Sequence, residues 1–231
     1  MRILAIETSS EYCSCALAGG SDIRELAEVA GQRHSALLLP MVQRLLAEAD
    51  THLGDLDAIA FGAGPGSFTG LRIACSVAQG LAMARDLPVV PVVTLEALAE
   101  DAGGGRVIAC LDARMGELYL AAYERDGDGW RAVQPPCLVR PDALPPMTGR
   151  WAGAGSGFGV QGERLANAYE LAGADALAFP RARAVAAIGR RAMAAGRGVP
   201  AEAAGPLYLR DKVALDVREQ AASRAARRAA A

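Results

Sequence analysis

Apolar residues run unbroken from Ile3 to Ile6, after which polar and apolar positions alternate from Tyr12 to Ala18. The first pattern, closed by Glu7-Thr8-Ser9-Ser10, predicts a short buried strand over Arg2 to Thr8, and the alternation predicts a second. Gly19-Gly20 supplies a hairpin turn, so Ile23 to Val29 reads as a third strand. Helical spacing then holds from Ser35 to Ala49. A strand over Asp57 to Phe61 is followed by a glycine turn and a helix reaching Arg85. Leu87 to Val93 reads as a buried strand, and Leu95 to Glu100 starts another helix. A three-stranded hairpin ribbon followed by alternating helix and strand is the signature of an α/β, ribonuclease-H-like mixed sheet.

The pattern then begins again. Asp101-Ala102-Gly103-Gly104-Gly105 is a linker. Beyond it, strands are expected over Arg106 to Leu111, Glu117 to Glu124 and Trp130 to Val139, and a short one with a glycine turn over Trp151 to Gly157. A helix over Arg183 to Ala195 carries an apolar stripe at Val185, Ile188 and Ala192. The strand ends Glu7-Thr8-Ser9 and Asp112-Ala113-Arg114 occupy equivalent places in the two halves, which predicts duplicated sheets facing a cleft. The chain divides into an N-terminal lobe, residues 1–101, a smaller C-terminal lobe, residues 102–205, and a segment 206–231. That last segment ends in an Ala/Arg-biased basic tail, expected either to pack back or to be disordered.

Composition fits a folded protein: 52% of the residues are hydrophobic and 22% charged, and 231 residues can bury a good core. A net charge of −2 argues against gripping nucleic acid through a basic surface of its own. Glu7 interrupts the first apolar stretch before a signal-peptide core can form, and no segment is long and apolar enough for a bilayer, so a cytoplasmic location is expected. Cys13, Cys15, Cys75, Cys110 and Cys137 are scattered and mostly in apolar runs, as buried free thiols would be. With only His34 and His52 beside them, they offer no metal-ligand spacing.

Candidate chemistry centres on residues 64 to 72, Gly-Pro-Gly-Ser-Phe-Thr-Gly-Leu-Arg. Glycine admits positive φ, proline fixes φ, and Ser67 or Thr69 can cap the following helix. The turn is either a tight strand-to-helix connection or an anion cradle built from Gly64, Gly66, Ser67 and the facing Ser9. Glu7 and Asp112 could hold Mg²⁺ beside a phosphate in the cleft, or Glu7 could simply accept hydrogen bonds from its own turn. His34 stands at a helix start, as a cap or a surface contact.

Two helices look broader in apolar surface than one core contact needs. Leu38, Met41 and Leu45 form one stripe with a second beside it. Gly70, Ala74 and Ala78 at four-residue spacing flank Ile73, Val77 and Leu81. Both a buried α/β helix pair and a partner interface fit. Arg181, Arg183, Arg190, Arg191 and Arg197 form a run without acids, either a solvated face or a contact for RNA phosphate.

Five separated segments resemble the TsaB (YeaZ) family. They are Ile3 to Ser9, Arg33-His34-Ser35 with Leu38-Leu39-Pro40, the glycine-rich nonapeptide with Ala78-Gln79-Gly80-Leu81-Ala82, Asp112-Ala113-Arg114 with Glu117-Leu118-Tyr119, and Pro206-Leu207-Tyr208-Leu209-Arg210. Glu7 stands where that family usually has Asp, and Gln79 where it has Lys. The resemblance implies two lobes of the actin, Hsp70 and sugar-kinase type and a non-catalytic paralogue of TsaD serving threonylcarbamoyl-adenosine formation on tRNA. It further implies pairing with TsaD through the two helices, with His34 included, and work beside the ATPase TsaE. Homodimerisation when alone, indirect contact with tRNA, and no tightly bound cofactor outside a complex that uses ATP or ADP also follow. Where TsaD proteins carry His-x-Glu-Gly-His, this chain has Thr94, Glu96 and Leu98, so the metal ligands are replaced. The alternative is an ATP-dependent kinase or transferase of the same fold; a metallopeptidase lacks its histidine pair.

Overall fold

The computed structural model describes residues 1–20 and 22–210. The first sheet is built from β1 (Ile3–Glu7), β2 (Tyr12–Gly19), β3 (Asp22–Val29), β4 (Ala58–Gly64) and β5 (Val89–Val93) in the order β3-β2-β1-β4-β5. β1 lies antiparallel to β2 and parallel to β4. The second sheet, β6 (Arg106–Asp112), β7 (Leu118–Asp126), β8 (Gly129–Val139), β9 (Arg150–Ala154) and β10 (Glu170–Asp175), has the order β10-β9-β6-β7-β8. Counted within each half, the two orders are identical, so the duplication expected from the strand ends is present in the topology.

Strand alternation decides what covers each face. Leu4, Ile6, Ile59 and Phe61 point to one face of the first sheet, under helices α1 (His34–Glu48) and α2 (Phe68–Met83). Ile3, Ala5, Ala58 and Ala60 point to the other, where α5 (Ala182–Ala194) lies. Small residues on that second face let α5 come close: a Cβ on Gly189 would stand 2.8 Å from the Ala60 Cβ.

The helices after each sheet's last strand cross to the other half. α3 (Thr94–Ala102) follows β5 but places Leu95, Leu98 and Ala99 against Val107, Ala109 and Tyr123 of the second sheet. In return α5, read from sequence within residues 102–205, buries Val185, Ile188 and Ala192 on the first sheet. The sequence reading has the right stripe but not its destination, because periodicity reports which face is buried and not against what.

Two elements escape the sequence reading. α4 (Gly157–Ala168) carries three glycines, departs from helical φ/ψ at Gln161 and buries only Gly157, Phe158 and Leu165, so its periodicity is faint. β10 is a largely exposed edge strand with no apolar alternation. Pro91 is accommodated in the edge strand β5, and Pro135-Pro136 fall in edge strand β8 where its register against β7 shifts and leaves both unpaired. Cys13, Cys15, Cys75 and Cys110 are buried free thiols, as expected, and burial pushes Cys15 and Cys110 up to about 12. Residues 206–210 pack back on the lobes; the basic tail lies outside the described residues.

Candidate functional site: the inter-lobe cleft and the outer helices

The ends of β1 and β6 open into one cleft of about 1050 Å³, with Ser9 and Ser10 on one wall and Asp112 and Ala113 on the other. The glycine turn forms the rim of the first wall. Ser67 caps α2 by accepting from the Gly70 amide at 3.3 Å, and its own amide donates to the Ser9 carbonyl at 2.7 Å. Two amides that an anion would need are therefore already satisfied. The glycines serve close approach instead: a Cβ on Gly66 would meet the Ser9 Cβ at 2.6 Å, and one on Gly64, which has φ +120°, would meet the Leu207 carbonyl at 2.6 Å.

Of the two readings of Glu7, the structure matches the one in which it accepts hydrogen bonds from its own turn, and not the paired-carboxylate one. Glu7 is 1% exposed and sits beneath the turn, fitting only because residue 62 is glycine. Its Oε1 accepts from the Ser9 amide at 2.5 Å, while Oε2 is buried without a hydrogen-bond partner. Burial pushes this carboxyl up to about 7, with hydrogen bonds from Ser9 and Thr8 pulling the other way. Asp112 does line the cleft, but it is committed to its own turn. Oδ1 accepts from the Arg114 amide at 2.8 Å, and Oδ2 pairs with the Arg114 guanidinium at 3.1 Å. Only one of the two carboxylates therefore faces the cleft.

His34 Nε2 lies 3.0 Å from the Ser10 carbonyl and 3.3 Å from the Tyr12 carbonyl. Carbonyls only accept, so Nε2 carries the proton and pins the start of α1 to the first hairpin. It is 7% exposed.

The proposed interface residues separate into two groups. Leu38, Met41, Leu45, Gly70, Ala74 and Ala78 are buried in this chain's own core. Gly70 shows why small residues recur there: a Cβ would stand 1.9 Å from the Thr8 carbonyl oxygen, so the close approach is to β1 and not to a partner helix. Ile73, Val77 and Leu81 are only partly covered and form the outer stripe of α2. Leu39 on α1 is 43% exposed. Neighbouring positions three and four apart look alike in sequence, and only the sheet's position tells inner stripe from outer.

Three of the five arginines in the run are ion-paired across elements. Arg181 pairs with Glu25, Arg183 with Asp101 at 3.5 Å and Arg191 with Glu100 at 2.9 Å. Burial would raise the Glu100 carboxyl, but hydrogen bonds from Arg191 and Trp130 bring it below its usual range. At these three positions a run without acids in sequence thus becomes an ion-paired surface in space. Thr94 and Leu98 are buried at the start of α3, beside a half-buried Glu96 whose carboxyl burial raises. Among the described residues no group of three or more His, Cys, Asp or Glu is placed to hold a metal ion. Nor is any described helix long and apolar enough to cross a membrane.

Sequence reasoning missed the contacts that bracket the cleft. Tyr12 stacks on Phe179 with ring centroids 3.4 Å apart. Phe68, Arg72 and Tyr208 form a cluster in which Arg72 lies 3.9 Å over the Phe68 ring and donates to the Tyr208 hydroxyl at 3.1 Å. Leu207 to Arg210 belong to one of the family-like segments, and their role is invisible in sequence because the partners lie about a hundred or more positions away.

A family model described as TsaD, tRNA N6-adenosine threonylcarbamoyltransferase, matches residues 26–230. The tRNA threonylcarbamoyladenosine biosynthesis protein TsaB of Escherichia coli K12 is 37% identical over 223 residues, covering 93% of this chain and 96% of that protein. The TsaB protein of Bacillus subtilis is 36% identical over 127 residues, covering 54% and 56%. Among solved structures, YeaZ from Pseudomonas aeruginosa superposes with a TM-score of 0.84 at 39% identity, covering 90% of this chain and 99% of that one. Sequence, topology and superposition agree over nearly the whole chain, which belongs to the TsaB (YeaZ) family.

Proposed function

We propose that this chain is a non-catalytic subunit for threonylcarbamoyl-adenosine formation on tRNA, acting in the cytoplasm by engaging and positioning the catalytic protein TsaD, with the ATPase TsaE completing the assembly. The observation that carries the reading is the fate of the catalytic positions. Thr94 and Leu98 fill core space where the paralogue needs metal ligands, and Glu7 is buried beneath the turn it would have to face across. A hydroxyl and an isobutyl group cannot replace two imidazoles at a transition metal.

The outer stripe Ile73, Val77 and Leu81 of α2, together with exposed Leu39 of α1, is the surface this reading gives to TsaD. The same stripe serves self-association when TsaD is absent. Nucleotide enters with the partners, and tRNA is met through the complex, in keeping with the paired arginines. Co-purification with TsaD and TsaE, with and without ATP, tests the partners. Titration of the lone chain with Mg-ATP tests the rest: the reading expects no tight binding, and micromolar binding with turnover would favour a small kinase or transferase.

A further inference from the structure

We propose that Leu207 to Arg210 form a clasp across the mouth of the cleft that sets the angle between the lobes, and that releasing its Arg210 end lets the cleft open. On the first lobe the clasp is anchored in three ways. The Leu207 amide donates to the Ala63 carbonyl at 2.7 Å, the Leu207 carbonyl packs on Gly64, and Tyr208 rests on Phe68 with ring centroids 5.4 Å apart. On the second lobe it is held by one side chain. Arg210 Nη2 donates to the Ala113 carbonyl at 3.0 Å and lies 2.7 Å from the Glu117 carboxylate, and Nη1 donates to the Met115 Sδ at 3.1 Å.

The turn that Arg210 grips is strained. Arg114 and Met115 both take positive φ, +63° and +56°, without being glycine. Four consecutive residues thus run from one cleft wall to the other, and all four line the cleft. The two ends differ in strength. Every second-lobe contact passes through the one Arg210 guanidinium, so a single side-chain rotation releases all of them, whereas the first-lobe end combines a backbone hydrogen bond, backbone packing and a ring contact. The second-lobe end therefore lets go first, with the α3–α5 crossing behind the cleft left as the hinge. The open form is a minor species that one substitution can populate.

Amide hydrogen exchange on the full chain tests this, comparing the unsubstituted protein with Arg210→Ala, Arg210→Lys and Glu117→Gln. Arg210→Ala is expected to speed exchange about tenfold on both cleft walls, residues 9–12 and 66–70 on one side and 113–118 and 176–180 on the other. The cores of β1 and β6 should be unchanged. Glu117→Gln keeps the bond to the Ala113 carbonyl, and Arg210→Lys keeps the charge, so both should give the same pattern at smaller amplitude. Faster exchange confined to 206–210 overturns the clasp. So does a uniform rise through both sheets with a lower Tm, which would make the segment a general fold stabiliser.

Discussion

Thr8 and Gly70 lock the first turn of α2 onto the end of β1: the Thr8 hydroxyl donates to the Gly70 carbonyl at 2.8 Å, and no side chain fits between them. Within a helix, glycine to alanine ordinarily stabilises by up to about 1 kcal/mol. Here the sign reverses, because the added methyl would press on backbone. Gly70→Ala is expected to lower unfolding stability by about 1–3 kcal/mol, read from urea denaturation. A neutral or stabilising result would show that α2 can move off β1.

Glu7 makes stability fall as pH rises. Its ordinary value of 4.5 is pushed up to about 7 in the fold, so between these the native state binds more protons than the unfolded chain. The Glu7 contribution to stability is complete below about pH 4.5 and is lost as pH climbs through 7, by an amount on the order of 3 kcal/mol. Glu7→Gln keeps an acceptor for the Ser9 amide and removes the titration. Urea midpoints from pH 5 to 8 should slope downward less steeply in the variant than in the parent protein, with the variant more stable at pH 8. Parallel slopes would refute the assignment.

Gln79 ties α2 to the chain that follows α5 by donating to the Ala201 and Ala204 carbonyls at 3.1 and 3.0 Å. Gln79→Leu strips both donors from half-buried carbonyls and should cost about 1–3 kcal/mol. Gln79→Lys restores a donor and is expected to recover most of that loss. Thermal unfolding of the two variants distinguishes a hydrogen-bonding role from simple packing, which leucine would preserve.

The two stripes of α2 should respond in opposite ways. Ala78 is fully buried, so Ala78→Arg places a charge in the core and should destabilise the fold by several kcal/mol. Val77 is on the partly covered side, and Val77→Glu should leave Tm within about 3 °C while weakening TsaD binding at least about tenfold. Affinity and Tm measured on the same samples separate lost interface from lost fold. Unchanged binding by Val77→Glu moves the interface to another surface.

The alternating strands and the amphipathic helices α1, α2 and α5 were legible because each buries a strong stripe. α4 and β10 were not: glycines at 157, 159 and 162 and an exposed edge leave nothing periodic to read. At the site, the positions of Ser9, Gly66, Ser67 and Asp112 around one cleft followed from the duplicated strand ends. Glu7 stayed open between the cleft and its own turn, since a carboxylate at a strand end reads the same whether it faces solvent or core, and only its place beneath Gly62 decides for the turn. Inner and outer stripes of α2 were confused for a related reason: apolar residues on both sides of a helix do not say which side meets the sheet. The clasp was present as a motif without a role, because its meaning lies in contacts with Ala63 on one lobe and Ala113 on the other.

The central claim is that this chain is required for threonylcarbamoyl transfer without performing it. Reconstitution with purified TsaD, TsaE, unmodified tRNA, ATP and threonylcarbamoyl-adenylate tests it most directly. Modified adenosine should form only when this chain is present with TsaD, and the chain alone should yield none. Robust transfer or ATP turnover by the chain alone, or full activity of TsaD and TsaE without it, would contradict the account.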